Sequence, residues 1–170
     1  MKTLLCATAV ALAAITAPAA ADDGSPAPLK WALWKQVGEW TVEGSNLGCR
    51  ALTGYPNGAE LGISMMLDGT VTLYLGNPRW ANRFVEDGEY TIGVQLDNSR
   101  VETFYAIGIG GGHVMMPSLS SSGITGFALA RGIHFYNSGV PLGGYNLPKS
   151  KQATLEVGSC VDAIRQASGV

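Results

Sequence analysis

The sequence predicts an α+β, mainly β protein: a bent antiparallel sheet, or an open barrel or sandwich, with a C-terminal helix packed on it. Three observations carry this. Glycine is abundant at 23 residues, and charged residues make up only 14% of the chain, against a usual share of about 25%. Two stretches alternate apolar and polar side chains with a period of two, each broken by turn residues. The C-terminal segment instead spaces its apolar residues by three and four, which is the period of a helix.

Taken from the N-terminus, the chain opens MKTLLCATAVALAAITAPAAADD. Lys2 supplies a positive n-region, Leu4 to Ile15 an apolar run, and Ala19-Ala20-Ala21 a small-residue cleavage site. Residues 1–21 therefore read as a secretory signal peptide, with an apolar run too short to span a bilayer. Cys6 falls inside the removed segment. Residues 22–29 (DDGSPAPL) read as a flexible leader, and 30–170 as one globular domain. No later stretch has the apolar length of a membrane helix, so a soluble periplasmic or secreted protein is expected. Loss of Lys2 leaves ten basic against 13 acidic residues. That balance points away from nucleic acid and from anionic membrane surfaces.

In LKWALWKQVGEW, residues 29–40, Trp31, Trp34 and Trp40 are expected on a short amphipathic segment that plugs the open end of the sheet. Strands are expected at GEWTVE (38–43) and CRALT (49–53). In ELGISMMLDGTVTLYL, residues 60–75, both apolar sets fall on one face only if the loop has three residues, Leu67-Asp68-Gly69. That register sets Met65 opposite Val71, Ile63 opposite Leu73 and Leu61 opposite Leu75, with Gly69 where a left-handed residue is wanted. For YTIGVQLDNSRVETFYAI, residues 90–107, a two-residue Asp97-Asn98 turn is expected. It pairs Val94 with Val101, Ile92 with Thr103 and Tyr90 with Tyr105.

The run GIGGGHVMMPSLSSSG, residues 108–123, lacks the lysine of a phosphate loop and meets Pro117 before any helix begins. It reads as a mobile crossing segment whose glycines let the backbone turn or approach a neighbour. A short strand is expected at His113 to Met116, and a short helix within SSSGITGFALARG, capped by Ser122 or a neighbouring serine. In PKSKQATLEVGSCVDAIRQ, the residues Ala153, Val157, Cys160, Val161 and Ile164 form one helical stripe.

Cys49 and Cys160 are the cysteines left after processing. An exported chain with an even count favours pairing them, and no CxxC supports a redox or metal pair. Closing a loop of this length contributes roughly 4–5 kcal/mol in the chain-entropy model. The bond would tether the last helix to the sheet.

The candidate sites are sparse. Arg79, Trp80 and Arg83 in GNPRWANR are the candidate binding residues, since Arg and Trp most often anchor interfaces. The plainer reading packs Trp80 over the end of the sheet while the two arginines meet nearby acids. His113 and His134 are the only histidines. Neither sits in a zinc-ligand spacing with Glu89 or Glu102, so no metal and no cofactor is expected. A serine of SLSSSG could still meet a histidine in space, although no G-x-S-x-G elbow is present. Glu86, Asp87 and Glu89 of VEDGEY could supply paired carboxylates, but beside a turn they read as a solvated loop.

Residues 38–162 resemble small secreted proteins of Gram-negative bacteria that pair an early cysteine, a Y-x-N-G-x-x-L lead-in to a strand, and a C-terminal helix ending near a second cysteine. The matching positions are Cys49, then Tyr55, Asn57, Gly58 and Leu61, then Cys160. The resemblance implies export and the disulfide, and it transfers no catalytic residue. The expected function is thus an exported, non-enzymatic module that binds a protein or cell-envelope component, an inhibitor among the possibilities. The alternative is an extracytoplasmic hydrolase using His113 or His134 with a serine or carboxylate.

Overall fold

The computed structural model describes residues 30–169. The signal peptide, its cleavage site, Cys6 and the leader before Lys30 lie outside them. Within them the chain forms ten strands and two helices. The strands are β1 (Ala32–Val37), β2 (Trp40–Ser45), β3 (Gly48–Gly54), β4 (Glu60–Met66), β5 (Val71–Gly76), β6 (Glu89–Leu96), β7 (Glu102–Gly108), β8 (His113–Met116), β9 (Gly132–Asn137) and β10 (Val140–Asn146). The helices are α1 (Ser121–Leu129) and α2 (Ser150–Ser168).

One open antiparallel sheet runs in the order β1-β2-β3-β4-β5-β8-β7-β6-β9-β10. The first five strands are a meander. The chain then leaves β5 through a 3-10 turn at Pro78–Trp80, enters β6, and returns through β7 and β8 to lie beside β5. Helix α1 carries it back across to β9. The sheet is folded over on itself: the Tyr55 ring, just after β3, lies 4.8 Å from that of Tyr145 on β10. Trp40 of β2 meets Phe127 of α1 edge-on at 6.0 Å. The space between the folded halves holds one core that includes Trp40, Leu61, Phe84, Ile92, Phe127 and Phe135.

Helix α2 lies on the β1–β4 half with Ala153, Val157, Cys160 and Val161 buried and Ile164 packed at the margin, which is the stripe expected. Cys49 of β3 and Cys160 are joined, with their Cα atoms 6.1 Å apart. Its first turn has no side-chain cap. Ser150 is buried there instead, where its hydroxyl donates to the carbonyls of Ala128 and Ala130 at 3.2 and 3.3 Å. In α1, Ser120 is the cap and accepts from Gly123 N at 3.1 Å.

The β4–β5 register is the expected one, with Leu61, Ile63 and Met65 facing Leu75, Leu73 and Val71. The β6–β7 register is not. Val94 faces Glu102 rather than Val101, and Ile92 faces Phe104 rather than Thr103. One extra loop residue flips the second strand, so Ala106 turns inward and Val101 and Tyr105 become exposed.

Two further expectations need correction. Residues 32–37 are not a plug but an edge strand, with Leu33 68% and Trp34 46% exposed. Only Trp40 enters the core, where its indole N–H donates to the Pro148 carbonyl at 2.8 Å. The glycine run is not a crossing segment either. It is the hairpin turn between β7 and β8, closed by Ile109 N to His113 O at 2.9 Å and His113 N to Gly110 O at 3.0 Å. Gly110, Gly111 and Gly112 all have positive φ (+80°, +62° and +83°), a conformation that side chains resist.

Candidate functional site

Both histidines have a local structural partner. His113 of β8 is the cross-strand neighbour of Gly76, and its ring lies flat over that residue, where a Cβ would collide with it. The ring also stacks with Tyr74, with centroids 5.4 Å apart and planes 18° apart. Its Nδ1 is 3.2 Å from the Gly110 carbonyl and its Nε2 is 3.6 Å from Glu60 Oε2. His134 of β9 repeats the arrangement with its cross-strand neighbour Gly144. The two rings cover bare backbone, as an aromatic side chain does when it shields a strand glycine.

Among the described residues, no serine hydroxyl hydrogen-bonds either histidine. Of the SLSSSG serines, Ser120 is spent on the α1 cap and on Ser122, whose hydroxyl is 2.9 Å away. Glu86, Asp87 and Glu89 lie exposed around the turn into β6, with Asp87 N donating to the Gly108 carbonyl at 2.9 Å. Glu102 is exposed on β7. No group of three or more His, Cys, Asp or Glu side chains is placed to hold a metal among the described residues.

Trp80 is only 7% exposed. It packs edge-on against Phe84 at 5.9 Å, beneath the 3-10 turn whose start Asn77 caps by accepting from Arg79 N at 3.0 Å. The indole therefore belongs to the core. Arg79 and Arg83 are exposed, and neither forms an ion pair among the described residues. The expected three-residue patch is reduced to two solvated guanidinium groups.

A large concavity among the described residues lies elsewhere, a groove of about 820 Å³. Four separate segments build it: the β1–β2 turn with Glu39, the β3–β4 turn with Tyr55, the end of α1 with Leu129, and the stretch from β10 into α2 with Lys149 and Lys151. Arg131, between α1 and β9, completes the rim. Its frame is tied at several points. Leu147 N donates to the Arg131 carbonyl at 2.8 Å, Trp40 Nε1 to Pro148, and Ser150 to the end of α1. The Tyr55 hydroxyl donates to the Asn146 carbonyl at 2.7 Å. Burial, helped by the nearby Glu39 charge, pushes the Tyr55 hydroxyl up to about 12, so it stays a neutral donor throughout the physiological range. Tyr145, packed against it, is also raised, chiefly by burial.

The groove thus presents an apolar spot, since Leu129 is 63% exposed, beside three cations and one carboxylate. A smaller concavity of about 480 Å³ adjoins it, sharing Arg131 and Asn146 and holding His134 and Asp97. The Asp97 carboxylate is already engaged, accepting from Arg131 N at 2.9 Å and Gly132 N at 2.8 Å. Sequence reasoning missed the groove because its residues are scattered over more than a hundred positions. The closest signal was the pair of lysines in PKSK.

No family model, curated protein or solved structure matches the chain.

Proposed function

We propose that the protein is an exported, non-enzymatic binding module that engages a protein or cell-envelope component through the groove between the β3–β4 turn, α1 and the start of α2. One observation carries this reading: the groove is a tethered frame lined by an aromatic wall, an exposed leucine and cations without an ion-pair partner among the described residues. Such a mixture of apolar contact and a few placed polar groups is what ligand sites share. The Cys49–Cys160 bond supports export, because thiols oxidise and stay oxidised outside the cytoplasm. No helix among the described residues is long and apolar enough to cross a membrane. Export also agrees with the signal-like start of the sequence and with the resemblance carried by Cys49, Tyr55 and Cys160. Arg79 and Arg83 drop out of the proposed contact surface, since Trp80 is not there to anchor it.

The test is hydrogen exchange on the oxidised protein, with and without envelope fractions separated into protein, lipid and polysaccharide. One fraction should slow exchange at the amides of residues 144–151 and 55–57. Leu129→Trp fills the groove without changing its charge and should abolish that protection. Arg79→Ala/Arg83→Ala should leave it intact. Protection centred on residues 78–84, or insensitive to Leu129→Trp, would remove the groove from consideration.

A further inference from the structure

We infer that the occupant of the groove is an extended acidic segment of a partner protein, a conclusion that rests on the groove being the binding surface. The described residues contain ten basic side chains. Lys35, Arg50 and Arg165 are committed to Glu156, Glu43 and Asp162. Arg131, Lys149 and Lys151 have no ion-pair partner among the described residues, and all three line the groove against the single carboxylate of Glu39. A chain of net charge −2 thus gathers, among the described residues, a net positive cluster in this groove. An exposed cluster of one sign steers and selects partners of the other.

Two further features separate a peptide from a phosphorylated polymer or lipid headgroup. Leu129, Pro56 and Tyr55 offer apolar contact inside the same groove, which a densely charged polyanion cannot use. Glu39 would repel such a polymer, yet it can accept from a peptide backbone N–H or pair with an isolated basic residue. The second feature is the sheet edge. β10 is the last strand in the order, so its outer backbone groups have no strand partner. The register shift between Pro141 and Gly143 disrupts the start of that edge, and the Asn146 carbonyl already accepts from Tyr55. The alternation along β10 turns the backbone N–H and carbonyl of Gly144 outward, with the Asn146 N–H beyond them, and both residues line the groove. An added strand pairs through its main chain and points every second side chain to one side. Its alternate carboxylates would then face the cations.

The experiment is fluorescence anisotropy on the oxidised protein with a short labelled peptide alternating glutamate and threonine. The comparison ligands are its glutamine and lysine counterparts and a polyphosphate chain. The glutamate peptide should bind at least about tenfold more tightly than the glutamine one, and raised salt should weaken it. Lys149→Glu/Lys151→Glu should weaken it about tenfold or more, with the far-ultraviolet dichroism unchanged. Three results would each overturn the inference: no binding of the glutamate peptide, equal binding of the glutamine peptide, or polyphosphate binding as tightly with the same dependence on the two lysines. If the acidic peptide fails while Leu129→Trp still abolishes protection by an envelope fraction, the groove survives as the site and only its ligand class is wrong. If Leu129→Trp changes nothing, the groove itself is wrong.

Discussion

The two long hairpins carry similar patterns and differ in what sets their register. In β4–β5 the loop Leu67-Asp68-Gly69 is closed largely by its own residues. Met66 N donates to the Thr70 carbonyl at 2.9 Å, Gly69 N to the Met66 carbonyl at 3.0 Å, and Asp68 Oδ1 accepts from Thr70 N at 2.8 Å. Gly69 takes φ +88°. Leu67 is also tied to distant segments, its N–H donating to the Leu47 carbonyl at 2.9 Å and its carbonyl accepting from Arg165 Nη2 at 2.8 Å, yet only one register buries both apolar sets. In β6–β7 the loop reaches outward. The Asp97 carboxylate accepts from Arg131 N and Gly132 N at the start of β9, and Asp97 N donates to the Gly132 carbonyl at 2.9 Å. The Ser99 hydroxyl accepts from Leu96 N at 3.3 Å. A strand some forty residues later, paired along the other side of β6, selects the register. β4 too is paired along its other side, by β3, so the hairpins differ in whether the outside ties agree with the local pattern: in β4–β5 they keep the register it selects, and in β6–β7 they go with another.

The largest expected effect comes from the covalent tie on the β4–β5 side, since Cys49 is the cross-strand neighbour of Met65. Cys49→Ser/Cys160→Ser should lower stability by about 4–5 kcal/mol, given the 111-residue separation. Denaturant unfolding would measure the loss, and amide exchange should show it falling on β2–β4 and α2 before β6 and β7.

Asp97→Ala should cost about 1–2 kcal/mol by leaving two backbone N–H groups without their acceptor. Asp97→Asn, which keeps a carbonyl oxygen, should recover part of that. Equal losses for the two variants would show that the charge, and not the acceptor, matters.

Gly69→Ala should cost about 1 kcal/mol purely through backbone conformation, because nothing lies within 4 Å of the added methyl group. Exchange rates in β6–β7 should not change. A shift there would mean that the hairpins are coupled more tightly than their separate turns imply.

The smallest effect is a pH dependence at Asp68. The Thr70 N–H holds its carboxyl below the usual carboxylate range. A group with a depressed folded pKa contributes stability that is present above its unfolded pKa and is lost as pH falls through the folded value. The Met66–Thr70 turn should therefore loosen only in strong acid. Carboxyl chemical shifts followed against pH would show it, and Asp68→Asn should remove the dependence without affecting β6–β7.

Much of the architecture could be read directly. The α2 stripe, the β4–β5 register, the span of β8 and the Cys49–Cys160 tie all rest on periodicity or on export chemistry. β1 escaped because it is an exposed edge, where Leu33 and Trp34 need not alternate with burial. β9 and β10 escaped because Ser138, Gly139, Pro141, Gly143 and Gly144 resemble a loop. In the fold the last of these instead makes room for the His134 ring. Trp80 shows the same limit from the other side. An Arg/Trp cluster looks alike whether its indole faces solvent or Phe84, and only the path of the chain beyond β5 puts it inside.

From its residues alone, this chain determined that it would be a sheet with a terminal helix, because period-two and period-three-to-four patterns act over neighbouring positions and need no knowledge of the rest. Where the sheet folds over, which register β7 adopts, and how Glu39, Tyr55, Leu129, Arg131, Lys149 and Lys151 come to share one groove were decided by tertiary structure. Those outcomes depend on contacts between segments many strands apart, for which the linear order of side chains carries no separate signal.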